Sequence, residues 1–220
     1  MEFGNTFQIR LAAICLLMLT AVAAFPAAVD KPAPKPAEKT VYDYSVVTFD
    51  NKEVSLSTFK GKALLIVNLA SQSIFRDQIA SLDELQRTYK DKGLVVIGIP
   101  SNDFGAQEPG TDAEVQKIYS NDFHLSFPVF ARASVRGKDQ AALYVFLTGD
   151  KKGTTGGDVH WSYTKFVVDR TGKVVARFEP HVAPSSPELQ VTIEDVLAGK
   201  YKPPPAKSDD EKKKDEADRD

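Results

Sequence analysis

Sulfur is almost missing from this sequence. The one cysteine is Cys15 and the two methionines are Met1 and Met18, so residues 19–220 carry no sulfur atom. That excludes a disulfide, a thiolate metal ligand and a thiol nucleophile from the whole stretch. Tryptophan occurs once, as Trp161, and histidine three times, as His124, His160 and His181. A strong charge of either sign is also lacking. The formal net charge is −2, which gives no electrostatic pull towards nucleic acid or an anionic membrane. No apolar run reaches the ~20 residues that a membrane-spanning helix needs.

The longest such run, "LAAICLLMLTAVAAF", follows Arg10 and stops at Pro26. Its length and the small residues of Ala21-Val22-Ala23 predict an export signal over residues 1–24, with Ala28 as an alternative cleavage point. The expected location is exported, periplasmic or secreted, with tethering by an uncleaved signal as the alternative. Ile14 is too large for a lipoprotein anchor at Cys15. Cleavage would leave a chain without sulfur and without an integral membrane segment. Residues 25–39 contain "DKPAPKPAEK", a Pro/Ala/Lys linker. Residues 202–220 end in "DDEKKKDEADRD", a solvated charge run with no apolar periodicity. The folded part is expected over residues 40–201, as a monomer.

Within it the apolar pattern alternates. "YDYSVVTF" and "EVSLSTF" flank Asp50-Asn51-Lys52 and predict a β-hairpin. "ALLIVNLA" is continuous and partly β-branched, as a strand buried on both faces would be. "RDQIASLDELQRTYKDKG" places Ile79, Leu82, Leu85 and Tyr89 on one helical face, with Gly93 as the stop. "LVVIGIP" predicts a second buried strand, parallel to the first because the crossover between them is right-handed. "TDAEVQKIYSN" and "AALYVFL" read as short helices. "YTKFVVD" and "VVARFEP" flank the turn "RTG". "SSPELQVTIEDVLAGK" is a closing helix with Ser186 as cap, Pro187 in its first turn and Gly199 at its end. The layout is an α/β sandwich with a mixed central sheet.

Ser73, in "NLASQSIF", falls where the first buried strand turns into a helix. Serine is among the best helix N-caps, worth about 0.5–2 kcal/mol over alanine. A hydrolytic nucleophile there would need an adjacent base oriented by a third group. His160 precedes Trp161 and would point to the opposite face if the two lay on a strand. The G-x-S-x-G elbow is absent. Asp103 and Glu108 share one loop and are expected to be solvated rather than to hold a cation. Arg132, Arg136 and Lys138 in another loop read as surface charge. No metal or cofactor is expected.

Four stretches, "VNLASQSIF", "IPSNDFGAQEPG", "FPVFA" and "HWSYTKFVVDRTGKVVARF", resemble the glutathione peroxidase family in order and spacing. The resemblance covers nearly the whole folded part and lacks the insertion of tetrameric members. It implies a thioredoxin-like, three-layer α/β/α sandwich with an N-terminal β-hairpin. It also implies a site of cysteine or selenocysteine, Gln, Trp and Asn. Carried over, these positions fall on Ser73, Gln107, Trp161 and Ser162. Gln107 and Trp161 match. Ser73 stands at the peroxidatic position and Ser162 in place of Asn, while Asp103 replaces a further family Gln, that of "NQFG". The resolving cysteine of thioredoxin-dependent members has no counterpart.

Peroxide reduction in that family needs a chalcogen that ionises near neutral pH and then carries an oxygen. A hydroxyl does neither. Three functions follow as expectations. One is a redox-inactive binding module, holding a small polar ligand or a protein partner at Ser73, Gln107 and Trp161. The alternative is a thiol-dependent hydroperoxide reductase, for which glutathione or thioredoxin would be the partner. The last is a scaffold acting through the charged tail.

Overall fold

The computed structural model describes residues 38–149 and 155–203. The expected export signal, most of the linker and nearly all of the charged tail lie outside the described residues.

The hairpin expected first is present. Strands β1 (Ser45–Val47) and β2 (Glu53–Ser55) pair antiparallel with Val46 opposite Val54. Asn51 takes the left-handed φ of 59° in the turn, a conformation Asn tolerates better than most residues. The main sheet contains β3 (Ala63–Leu69), β4 (Leu94–Pro100), β5 (Lys165–Val168) and β6 (Val174–Phe178), in the order β4-β3-β5-β6. β3 and β4 run parallel, while β5 is antiparallel to both β3 and β6. Every residue of β3 is buried, which explains its unbroken apolar run.

Among the described residues four α-helices flank this sheet: α1 (Gln78–Tyr89), α2 (Asp112–Lys117), α3 (Ala142–Thr148) and α4 (Pro187–Leu197). Side chains of β3 alternate between two cores. Leu65, Val67 and Leu69 pack with Ile79, Leu82, Leu85 and Tyr89 of α1 and with Leu189, Ile193 and Val196 of α4. Leu64 and Ile66 face the other way, with Leu143, Tyr144 and Leu147 of α3 and with Phe166 and Val168 of β5. Each such aliphatic or aromatic side chain contributes about 1.5–3 kcal/mol when fully buried. The result is an α/β/α sandwich with a mixed sheet, as expected.

Local signals end the elements where the sequence places them. Gly93 stops the α1 segment at φ 100°. Thr111 and Glu114 form a reciprocal capping box at α2. Ser186 accepts from Leu189 N at 3.4 Å at the start of α4. The parallel crossover brings the C-terminal ends of β3 and β4 to one end of the sheet. The antiparallel β5 starts at that same end, because Lys165 lies opposite Val67. Three loops therefore converge there.

Candidate functional site

The first loop follows β3. Its backbone does not enter α1 at once but passes through successive tight turns: Arg76 N donates to Ser73 O, Gln78 N to Phe75 O and Ile79 N to Arg76 O, each at 3.0 Å. This corrects the expectation that Ser73 caps the helix, since the N-cap position of α1 belongs to Asp77. Ser73 Oγ instead accepts from Phe75 N at 3.2 Å, inside its own turn. Its other contact is long-range: Ser73 Oγ and Ser162 Oγ lie 2.8 Å apart. Ser73 is 2% exposed and Ser162 fully buried.

The second loop follows β4 and carries Gln107. Gly105 and Ala106 both adopt left-handed φ, 58° and 51°, and the latter is strained for a residue with a Cβ. Gln72 N donates to Gln107 O at 3.0 Å, so this loop is laced to the turn that carries Ser73. Gln107 Oε1 is buried without a hydrogen-bond partner among the described residues.

The third segment leads into β5. Trp161 O accepts from Asn68 Nδ2 and from Thr164 Oγ1, both at 3.1 Å. Its ring lies 5.7 Å from that of Phe104, and its Nε1 is buried and unpartnered among the described residues. Tyr163, next to Ser162, is held at φ 68°, where bulky residues are strained. Its N donates to Asn68 O at 2.7 Å and its hydroxyl to Ala70 O at 3.2 Å. Strain thus sits beside Gln107 and beside Ser162, held in place by β3 and the loops.

The structure joins Ser73 to Ser162 directly, Gln107 to the Ser73 turn through the backbone, and Trp161 to β3 and Phe104. Among the described residues no hydrogen bond links the Gln107 amide or the Trp161 indole to Ser73. Nor does any histidine reach it: His160 and His181 are exposed, and the His124 ring faces Ser120 O at 3.2 Å. Among the described residues no histidine is placed to serve Ser73 as a base, and the hydrolytic reading has no support in this geometry.

The loop carboxylates differ from expectation. Asp103 is tied to the next loop, accepting from Val135 N at 2.6 Å and from Ser134 Oγ at 3.1 Å. Glu108 has no exposed surface at all. Its carboxylate accepts from Ser71 N at 2.7 Å, Ser71 Oγ at 2.9 Å and Tyr119 OH at 2.6 Å. Burial pushes its pKa above the usual carboxylate range, against those bonds. Burial and the facing Glu108 carboxylate also raise Tyr119 well above an ordinary phenol, so it stays a donor. Among the described residues no group of three or more His, Cys, Asp or Glu is placed to hold a metal ion. The basic residues of the 132–138 loop are not all free: Arg132 pairs with Asp112 at 2.8 Å and Lys138 lies 3.9 Å from Asp139. The Arg136 guanidinium stacks 4.6 Å from the centre of the Phe104 ring.

Sequence reasoning missed Asn68 and Lys165, and it expected Glu108 to be solvated where it is buried. Asn68 and Lys165 could have been found as polar residues inside apolar strand runs, and both are fully buried. Lys165 Nζ donates to Tyr163 O at 2.8 Å, and burial holds its pKa down to about 7 despite Glu179 nearby.

Comparison with known proteins places this architecture. The family model described as glutathione peroxidase matches residues 41–148. A glutathione peroxidase of Lactococcus lactis is 37% identical over 150 residues, which cover 68% of this chain and 96% of that one. The glutathione peroxidase homolog BsaA of Bacillus subtilis is 39% identical over 159 residues, covering 72% and 98%. Phospholipid hydroperoxide glutathione peroxidase 1, chloroplastic, of Arabidopsis thaliana is 38% identical over 163 residues, covering 74% and 68%. Among solved structures, that of T. cruzi GPX1 superposes with a TM-score of 0.59 at 28% identity, covering 73% of this chain and 97% of that one. A thioredoxin-family thiol:disulfide interchange protein from Chlorobium tepidum reaches 0.51 at 22% identity over 70% and 92%, a likeness of fold.

Proposed function

The chain belongs to the glutathione peroxidase family, and from that premise we propose that it keeps the family's site frame without the family's redox atom. In this reading it holds a small polar ligand, such as a hydroperoxide or its alcohol, and does not reduce it. The observation that carries the proposal is the buried hydroxyl pair of Ser73 and Ser162 in a stretch, residues 19–220, that has no sulfur. A thiol has a reference pKa near 8.5 and forms a sulfenic acid after attack on a peroxide. A serine hydroxyl stays protonated at neutral pH and cannot store the oxygen. Gln107 Oε1 and Trp161 Nε1, which have no hydrogen-bond partner among the described residues, supply an acceptor and a donor for a ligand's own O–H and lone pair.

A second reading has the comparisons on its side. The three relatives are glutathione peroxidases or a homologue of one by name, and they favour thiol-dependent hydroperoxide reduction more than they favour an inactive site. Against it stands the chemistry: Cys15, the one thiol in the chain, lies within the segment read as an export signal. Export and a monomeric state are part of the proposal, and a scaffold acting through the charged tail stays a further alternative to it.

Trp161 is the only tryptophan, so its fluorescence reports on this site alone. Titration with tert-butyl hydroperoxide is expected to give a saturable change that reverses on dilution and weakens at least fivefold in Gln107→Ala. A flat titration would remove the binding proposal.

A further inference from the structure

A carboxylate in the interior costs free energy unless its oxygens are met by donors. Glu108 is met by three. Ser71 N and Tyr119 OH converge on Oε2, and Ser71 Oγ reaches Oε1. Its backbone is fixed as well: Glu108 N donates to Asn102 Oδ1 at 2.9 Å, and Glu108 O accepts from Arg132 Nη1 at 3.3 Å. Three segments are thereby fastened to one residue: the turn after β3, the end of the α2 region and the 132–138 loop.

Sequence position gives these bonds their consequence. Glu108 follows Gln107, and Ser71 stands two residues before Ser73. The bond from Gln72 N to Gln107 O is the neighbouring rung of the same lattice. The Gln107 loop passes through the strained Ala106, which needs an external restraint to hold its φ of 51°. Among the described residues the Glu108 carboxylate is the side-chain tie between this loop and the Ser73 turn, beside the backbone bond from Gln72 N to Gln107 O.

We infer that Glu108 is a positioning residue of the site: its carboxylate fastens the Gln107 loop to the turn that carries Ser73. It acts through hydrogen bonds, and its negative charge is dispensable. The inference rests on the reading of Ser73 and Gln107 as one site. A glutamine meets the same lattice, since its carbonyl can accept from Ser71 N and Tyr119 OH while its amide nitrogen donates to Ser71 Oγ. A leucine of similar size fills the space and makes none of the bonds.

The test combines each variant with Ser73→Cys and follows alkylation of the new thiol by iodoacetamide from pH 5 to 10. Glu108→Gln is expected to keep the alkylation profile of Ser73→Cys alone or to shift it to lower pH. Glu108→Leu is expected to move the apparent pKa up, towards the ~8.5 of a free thiol. In the protein with Ser73 intact, hydrogen exchange at the Ser71 and Gln72 amides should speed up at least tenfold with Glu108→Leu and not with Glu108→Gln. If the folded Glu108→Leu protein keeps both the profile and the exchange rates, the inference is overturned. It is equally overturned if Glu108→Gln behaves like Glu108→Leu, because charge would then be the agent. Should Glu108→Leu not fold, Ser71→Ala and Tyr119→Phe each remove a donor and must shift both readouts in the same direction. A Ser73→Cys thiol that titrates like free cysteine would count against the proposed function, while the exchange rates would still decide on Glu108.

Discussion

The hydroxyls of Ser73 and Ser162 meet at 2.8 Å in the interior, although 89 residues separate them in the chain. β3 delivers one and the lead into β5 the other, and the antiparallel pairing of those strands makes the meeting possible. The pair satisfies two buried hydroxyls that would each cost free energy alone.

Ser73→Ala removes this bond and the one from Phe75 N, leaving Ser162 Oγ buried without its partner. The expected loss is about 1–3 kcal/mol. Urea denaturation should show a lower midpoint with an unchanged slope. A midpoint equal to that of the unsubstituted protein would mean that the hydroxyl pair contributes nothing to stability.

Ser162 stands where the family resemblance places an asparagine. In a Ser73→Cys background, Ser162→Asn should add a donor beside the thiol and raise its second-order rate with hydrogen peroxide about tenfold, as a hydrogen bond to the charged form favours it. Stopped-flow mixing measures this directly. A rate that falls or stays level would show that position 162 does not serve the reactive position.

Lys165 sets a pH dependence of stability. Its folded pKa is depressed to about 7 by burial, from an ordinary 10.5. Between those values the unfolded chain binds a proton that the folded chain does not, so stability rises with pH across that window. The penalty of burying the ammonium is fully present below about pH 7. Thermal melts of the unsubstituted protein and of Lys165→Met should therefore converge or cross in favour of the former as pH goes from 7 to 9.5. Parallel curves across that range would contradict a buried, depressed lysine.

Much of the fold was legible because the relevant signals are local. The unbroken apolar run of β3, the helical spacing of Ile79, Leu82, Leu85 and Tyr89, and the Pro187 start of α4 each act within a few residues. The site was legible only in part. Ser73 looked like a cap because serine next to a helix usually is one. The intervening turns move α1 on to Gln78, and Ser73 finds its partner on a distant segment instead. Glu108 looked solvated because its loop is polar. Its burial depends on donors from Ser71 and Tyr119, which only the folded topology brings together. The roles of Gln107 and Trp161 came from family resemblance. That their Oε1 and Nε1 atoms are buried without a partner among the described residues became visible only in three dimensions.

The central claim is that the site lacks a redox atom. Its most direct test is consumption of hydrogen peroxide and of an organic hydroperoxide by the purified protein, with glutathione or thioredoxin as reductant, beside Ser73→Ala and Ser73→Cys. The account predicts that the unsubstituted protein and Ser73→Ala match the protein-free control and that Ser73→Cys gains turnover. Turnover by the unsubstituted protein above both the control and Ser73→Ala would contradict it and establish the peroxidase reading in its place.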